Sequence, residues 1–209
     1  MSGKLFGKNE NKPKKELDGH FAAFLSEYPP SENLVKPDAK ITDKYEAILP
    51  EMIEFWKQYG FGNYGSGLVK IINPDTFETV SGVNPAVDIP LMVSAFGDIF
   101  IYRHIPNQNL KAVGILNVHY RNREFFIIGD DCIEQFFGGV NRELPIMRTA
   151  LFEEAVAKCG NPAPNEIFFF VPMLAMGGAE TIGFIDKGDM FVHYHILSEV
   201  QGHEFSAQY

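Results

Sequence analysis

Basic residues are in short supply: 18 Lys and Arg stand against 27 Asp and Glu, a formal charge of −9 over 209 residues. Such a chain is a poor direct ligand for nucleic acid, because neutralising phosphates takes Lys and Arg. The deficit is uneven. Residues 1–20 hold five lysines and three acids, +2 net, which leaves −11 on the remainder. Cysteine is scarcer still. Cys132 and Cys159 are the only two, with no CxxC spacing, so neither a disulfide framework nor a zinc knuckle is available and both read as reduced core residues. The longest uncharged apolar run, Ile167 to Ala179, has thirteen residues and contains Pro172. A membrane-spanning helix needs about 20. The lysine-rich start, MSGKLFGKNENKPKKELDG, lacks the apolar stretch of a signal peptide. These absences lead to the expectation of a soluble, cytoplasmic protein with no membrane partner.

What is present in quantity is core material. The chain is 45% hydrophobic and carries 19 Phe and 8 Tyr, enough for a sizeable interior. The segment around which the reading is organised is LPEMIEFWKQYGFGNYGSGLVKIINP, residues 49–74. Pro50 suits a first helical turn. Met52, Phe55, Trp56 and Tyr59 fall at i, i+3, i+4 and i+7, one buried face. Gly60 supplies a left-handed stop. A glycine loop through Gly67 then leads into the strand Leu68–Ile72.

Asp18 is expected to cap a preceding helix with Phe21, Phe24, Leu25 and Tyr28 on one face, and Thr42 to cap a second. Leu91 to Phe96 reads as a short helix. Ile99–Tyr102, the alternating Leu116, Val118 and Tyr120, and Phe125–Ile128 read as strands of an antiparallel meander, with a tight turn at 121–123. Asp130-Asp131 opens a helix around Ile133, Phe136 and Phe137. Pro145 begins another, whose stripe of Leu151, Phe152, Ala155, Val156 and Cys159 ends at Gly160. Ile167–Val171 is a strand buried on both faces. Asp186-Lys187-Gly188-Asp189 reads as a hairpin turn between Phe184-Ile185 and Met190–Val192. The fold class is therefore α+β: a mainly antiparallel central sheet with N-terminal and flanking helices, in two closely packed subdomains.

Few motifs carry chemistry. Gly60-Phe61-Gly62-Asn63-Tyr64-Gly65 is a literal GxGxxG, but a dinucleotide site needs strand before loop and helix after it. Here the order is reversed, and a helix stop with a turn explains the glycines better. His193-x-His195, read on a strand, puts two imidazoles on one face, the start of a metal site; no third ligand is assigned by spacing. No Gly-x-Ser-x-Gly elbow and no Gly-Lys-Ser/Thr occurs. Paired acids such as Asp130-Asp131 read as solvated caps. No catalytic residue, cofactor or metal is expected.

The 49–74 run, followed by Phe96-Gly97-Asp98-Ile99-Phe100, resembles the GAD-like domain. Pro172-Met173-Leu174-Ala175-Met176-Gly177-Gly178-Ala179-Glu180 and Lys187-Gly188-Asp189 resemble the small domain that commonly follows it in immunity proteins of type VI secretion DNase effectors. The likeness spans roughly residues 20 to 200. It implies a GAD-like subdomain at 18–122 and an immunity-type subdomain at 123–202; outside it lie a disordered basic tail at 1–17, expected from its lysine-rich, non-periodic composition, and a frayed end at 203–209. It also implies a non-enzymatic protein that binds and neutralises a cognate nuclease toxin in the producing cell. An acidic body suits such a basic partner. Local polarity and loop position, rather than any family motif, single out Asn63, Tyr64, Asp130, Asp131 and Glu134 as partner contacts. The rival is a small-ligand or metal-binding enzyme using the Gly60–Gly67 loop or the His193/His195 pair.

Overall fold

The computed structural model describes residues 19–202 and places residues 206–208 in a strand. Three helices lead the chain: α1 (Gly19–Glu27), α2 (Ala39–Tyr45) and α3 (Pro50–Gln58). Six strands follow: β1 (Gly62–Tyr64), β2 (Val69–Ile71), β3 (Asp88–Ser94), β4 (Ile99–Ile105), β5 (Leu110–Asn117) and β6 (Asn122–Ile128). Then come α4 (Cys132–Gly139), α5 (Thr149–Cys159), the strands β7 (Glu166–Phe170) and β8 (Ile185–Asp189), α6 (Met190–Gln201) and β9 (Ser206–Gln208). The first six strands form an antiparallel sheet in sequence order, and β9 joins it alongside β6 in parallel. β7 and β8 pair with each other in a separate two-stranded ribbon. The expected α+β class with a mainly antiparallel central sheet is the one observed. The sheet runs on through the expected 122/123 boundary, since β6 begins at Asn122 and pairs with β5 from there.

Both faces of the sheet are covered. Phe21, Phe24, Phe55, Trp56 and Phe137, from α1, α3 and α4, pack on one face with Phe100 and Tyr102 of β4. Phe77, Tyr194 and Leu197, the last two from α6, pack on the other with Ile99 and Ile101. β4 therefore reads as an unbroken apolar run, because successive side chains enter different cores. The same logic corrects the expectation of a helix at Leu91–Phe96. All of β3 is buried, and a short run buried at every position shows no apolar period to distinguish strand from helix.

The glycine segment after α3 is packed for close backbone approach. Phe61 exchanges backbone hydrogen bonds with Val35 at 2.8 and 2.9 Å. Gly60, at φ 106°, lies so close that a Cβ would sit 2.7 Å from the Val35 carbonyl oxygen. The loop is thus the seat of an earlier stretch of chain, which agrees with the structural reading of its glycines.

Three further local expectations change. Thr42 lies inside α2; the cap is Asp38, whose carboxylate accepts from the Ile41 amide at 2.9 Å. The meander turn falls at 118–121 rather than 121–123. Asp186–Asp189 is strand β8 itself, and Asp189 caps α6 by accepting from the Phe191 and Val192 amides. A Gly-Asp sequence before an apolar run suits a turn and a helix cap equally, and here the cap wins. The expected Asp18 cap, the 1–17 tail and the 203–209 end lie outside the described residues, apart from the backbone of β9.

Candidate protein-interaction site

Two of the sequence-flagged acids, Asp130 and Asp131, sit between β6 and α4, and Glu134 lies in the first turn of α4. The fold carries them to the start of α3. Together with Ile48, Pro50, Glu51, Tyr102 and Lys111 they line an open cleft of about 450 Å³. Glu51 is the addition that sequence reasoning missed. It reads as an ordinary first-turn acid of α3, and only the tertiary structure sets it opposite α4.

The cleft keeps a negative balance. Among the described residues that line it are four carboxylates and one cation, Lys111, whose ammonium lies 2.8 Å from Asp130 in an open ion pair. That pair holds the Asp130 carboxyl below its ordinary range and raises the Lys111 ammonium. The two helix N-termini contribute roughly +0.5 charge each, which leaves a surplus of about two negative charges. Neither helix start is closed by a side-chain cap, since Leu49 cannot provide one and Asp131 makes no capping hydrogen bond. At the floor, Tyr102 is only 2% exposed. Burial raises its phenol pKa, with Cys132, Glu51 and Asp130 adding to the effect, so the group is a neutral hydroxyl at physiological pH.

The flagged residues on the other side of the molecule fare differently. Tyr64 is fully buried, its ring against Phe24 and Phe55 and its hydroxyl donating to the Gly60 carbonyl at 2.7 Å. It offers nothing to a partner; the period-two register of β1 turns it into the core. Asn63 is half-buried and donates to the Pro162 carbonyl at 2.8 Å, so it fastens the loop to the C-terminal half.

The His193/His195 pair does not converge. Both residues lie on α6 rather than on a strand, and a two-residue step on a helix turns by about 200°. His193 is buried, stacked on Phe169 with ring centroids 4.5 Å apart, while His195 is exposed. Burial lowers the His193 pKa to about 4, with His119 adding to the shift. Among the described residues no group of three or more His, Cys, Asp or Glu side chains is placed to hold a metal ion.

A second cluster of charges lies at the seam between the two halves, with Arg148 and Asp98 buried and Glu180 at the surface. Arg148, at the start of α5, donates to Asp98 at 2.7 Å and to both oxygens of Glu180 at 3.1 and 3.0 Å. Tyr120 donates to Glu180 at 2.9 Å. Asp98 also accepts from the Val118 amide at 3.2 Å. Burial by itself would lower the Arg148 pKa, but the two acids more than offset it and the net shift is upward. Every charge here has a partner inside the protein.

Comparison with known families places these features. Residues 19–115 match the GAD-like domain, and residues 131–201 match the C-terminal domain of the T6SS immunity protein Tdi1. The chain thus joins a GAD-like domain to a Tdi1-type C-terminal domain. Its acidic cleft draws on both matches: Glu51, Tyr102 and Lys111 come from the first, Asp131 and Glu134 from the second. The crystal structure of Atu4351 from Agrobacterium tumefaciens has the same fold, with a TM-score of 0.74 over 90% of this chain and 91% of that one, at 16% identity. No curated protein matches the chain. None of the described helices is long and apolar enough to cross a membrane.

Proposed function

We propose that this protein is the immunity partner of a type VI DNase effector, which it neutralises in the cytoplasm of the producing cell by stoichiometric binding. The Tdi1-type match over residues 131–201 carries the reading. The charge pattern supports it, because a nuclease presents a basic DNA-binding surface and a negative partner is steered toward it. The proposed contact is the cleft at the starts of α3 and α4, with Asp130, Asp131 and Glu134 from the sequence reading and Glu51 added. Asn63 stays a peripheral contact at most, and Tyr64 drops out. The protein has no catalytic part to play: it acts by occupying the effector.

The test is coexpression of a type VI nuclease effector encoded by the neighbouring reading frame, if one is found there, with and without this protein. Intact chromosomal DNA and a copurifying one-to-one complex are the expected results. Continued DNA degradation with no complex overturns the proposal.

A further inference from the structure

The cleft has a chemistry more specific than negative charge. Tyr102, a residue 98% removed from solvent, is among the side chains that line it. An apolar wall of Ile48 and Pro50 stands beside it. Around the rim are carboxylates on two different elements, Glu51 on α3 and Asp131 at the start of α4, both exposed. Asp130 is already engaged with Lys111.

We infer that this cleft receives an arginine side chain of the protein partner, its guanidinium between Glu51 and Asp131 and one N–H donating to the Tyr102 hydroxyl. The inference rests on the immunity reading for the identity of the partner but not for the existence of the site. A guanidinium presents five donors in a planar fork, so it serves acceptors on two walls and a floor together. An ammonium is a compact, strongly hydrated point charge and gives up more water to enter. The apolar wall accommodates the three methylenes of the arginine stem. The Tyr102 hydroxyl, on a side chain that lines the cleft, is an oxygen that can accept one of those N–H groups. The helix starts supply no competing anion site, since the acids already sit on them.

Two measurements test the inference. The first needs no effector: the peptide acetyl-Gly-Arg-Gly-amide is titrated into the full-length protein, followed by the amide resonances of Glu51 and Cys132 and the ring of Tyr102. Lysine and citrulline versions serve as comparisons. Saturable shifts with the arginine peptide, at least about 5-fold tighter than with neutral citrulline, are expected for a charge-assisted site. Equal responses to arginine and citrulline overturn the inference. The second uses the effector complex. A Glu51→Lys/Asp131→Lys variant loses roughly 100-fold or more in affinity, Tyr102→Phe loses about 5-fold, and Glu54→Lys, exposed on the same helix but outside the cleft, stays within about 2-fold. Thermal melts of each variant confirm folding, and Tyr102→Phe keeps the buried ring in place. Unchanged affinity in the double variant overturns the inference while the complex, and the immunity reading, stand. Failure of the unaltered protein to bind the effector overturns the immunity reading, and the peptide titration still decides the cleft.

Discussion

The seam charges and the cleft charges are built from the same residue types and do opposite work. At the seam, Arg148 is 7% exposed by side chain, Asp98 is fully buried, and each finds its partners inside the protein. In the cleft, the Asp130 side chain is 83% exposed, and the four carboxylates outnumber the single internal cation. Buried ions must be satisfied at folding, because a lone charge in the interior is heavily penalised. Exposed ions can wait for a partner, because water solvates them meanwhile. The first set therefore joins the GAD-like half to the C-terminal half, and the second stays in contact with solvent.

The comparison breaks most visibly at Arg148. Arg148→Met leaves Asp98 buried and unpaired, and the expected loss is about 3–5 kcal/mol of unfolding free energy, read by urea denaturation. A loss no larger than that of a surface substitution would place the seam among the dispensable contacts.

Acid should dissolve the seam before the cleft. His193 is buried and neutral, with its pKa lowered to about 4 by burial, whereas in the unfolded chain it titrates near 6.5. Between those values the unfolded chain binds the extra proton, so stability is complete above about pH 6.5 and falls by up to roughly 3 kcal/mol as pH drops toward 4. Glu180, held below its ordinary range chiefly by Arg148 against the opposing effect of burial, adds a loss of the same sign at lower pH. His193→Phe should flatten the pH dependence between 4 and 6.5. An unchanged melting profile across that window contradicts the account.

Lys70 sharpens the contrast from the other side. It is fully buried in β2, with one long hydrogen bond of 3.4 Å to the Gly67 carbonyl, and burial lowers its pKa to about 7 despite the attraction of Glu166. In the unfolded chain it stays protonated to about pH 10.4. Between 7 and that value the unfolded state binds more protons, so stability rises with pH across this range. Lys70→Met removes the penalty, and a gain of about 1–3 kcal/mol at neutral pH is expected. A destabilised Met variant would show that the ammonium is better compensated than its single long bond indicates.

Smaller effects complete the series. Tyr120→Phe removes one hydrogen bond at the exposed rim of the seam and should lower stability by about 1 kcal/mol or less. Asp130→Asn, in the cleft, should leave the melting temperature unchanged, because its ion pair with Lys111 stands in open solvent. A marked shift there would mean that the cleft acids also serve folding.

Much of the architecture was legible in residue patterns. The α3 face of Met52, Phe55 and Trp56 is buried as its spacing requires, and the glycine stop holds for α3 and for α5, which Gly160 ends; the proline start holds for α3 alone, since Pro145 opens a separate 3-10 turn and α5 begins at Thr149 after a left-handed Arg148. Legibility failed where both faces of an element are buried, as in β3, since nothing then alternates. It failed again where one short sequence suits two local structures, as in Asp186–Asp189 and around the His193 pair. Among the site residues, Asp130 and Asp131 could be flagged as polar and terminal, but Tyr64 was drawn into the core by a register that local polarity does not reveal.

The sequence by itself determined the helix-stop-strand corner of residues 49–74, the α+β class, the acidic body and the lack of catalytic motifs, because periodicity, turn chemistry and charge are local properties. Only the tertiary structure decided that Glu51, Asp131 and Tyr102 line one cleft, and that Arg148 reaches Asp98 fifty residues away. Those meetings depend on packing two halves of the chain around one sheet, and no local property of the sequence encodes which side chains that packing brings together.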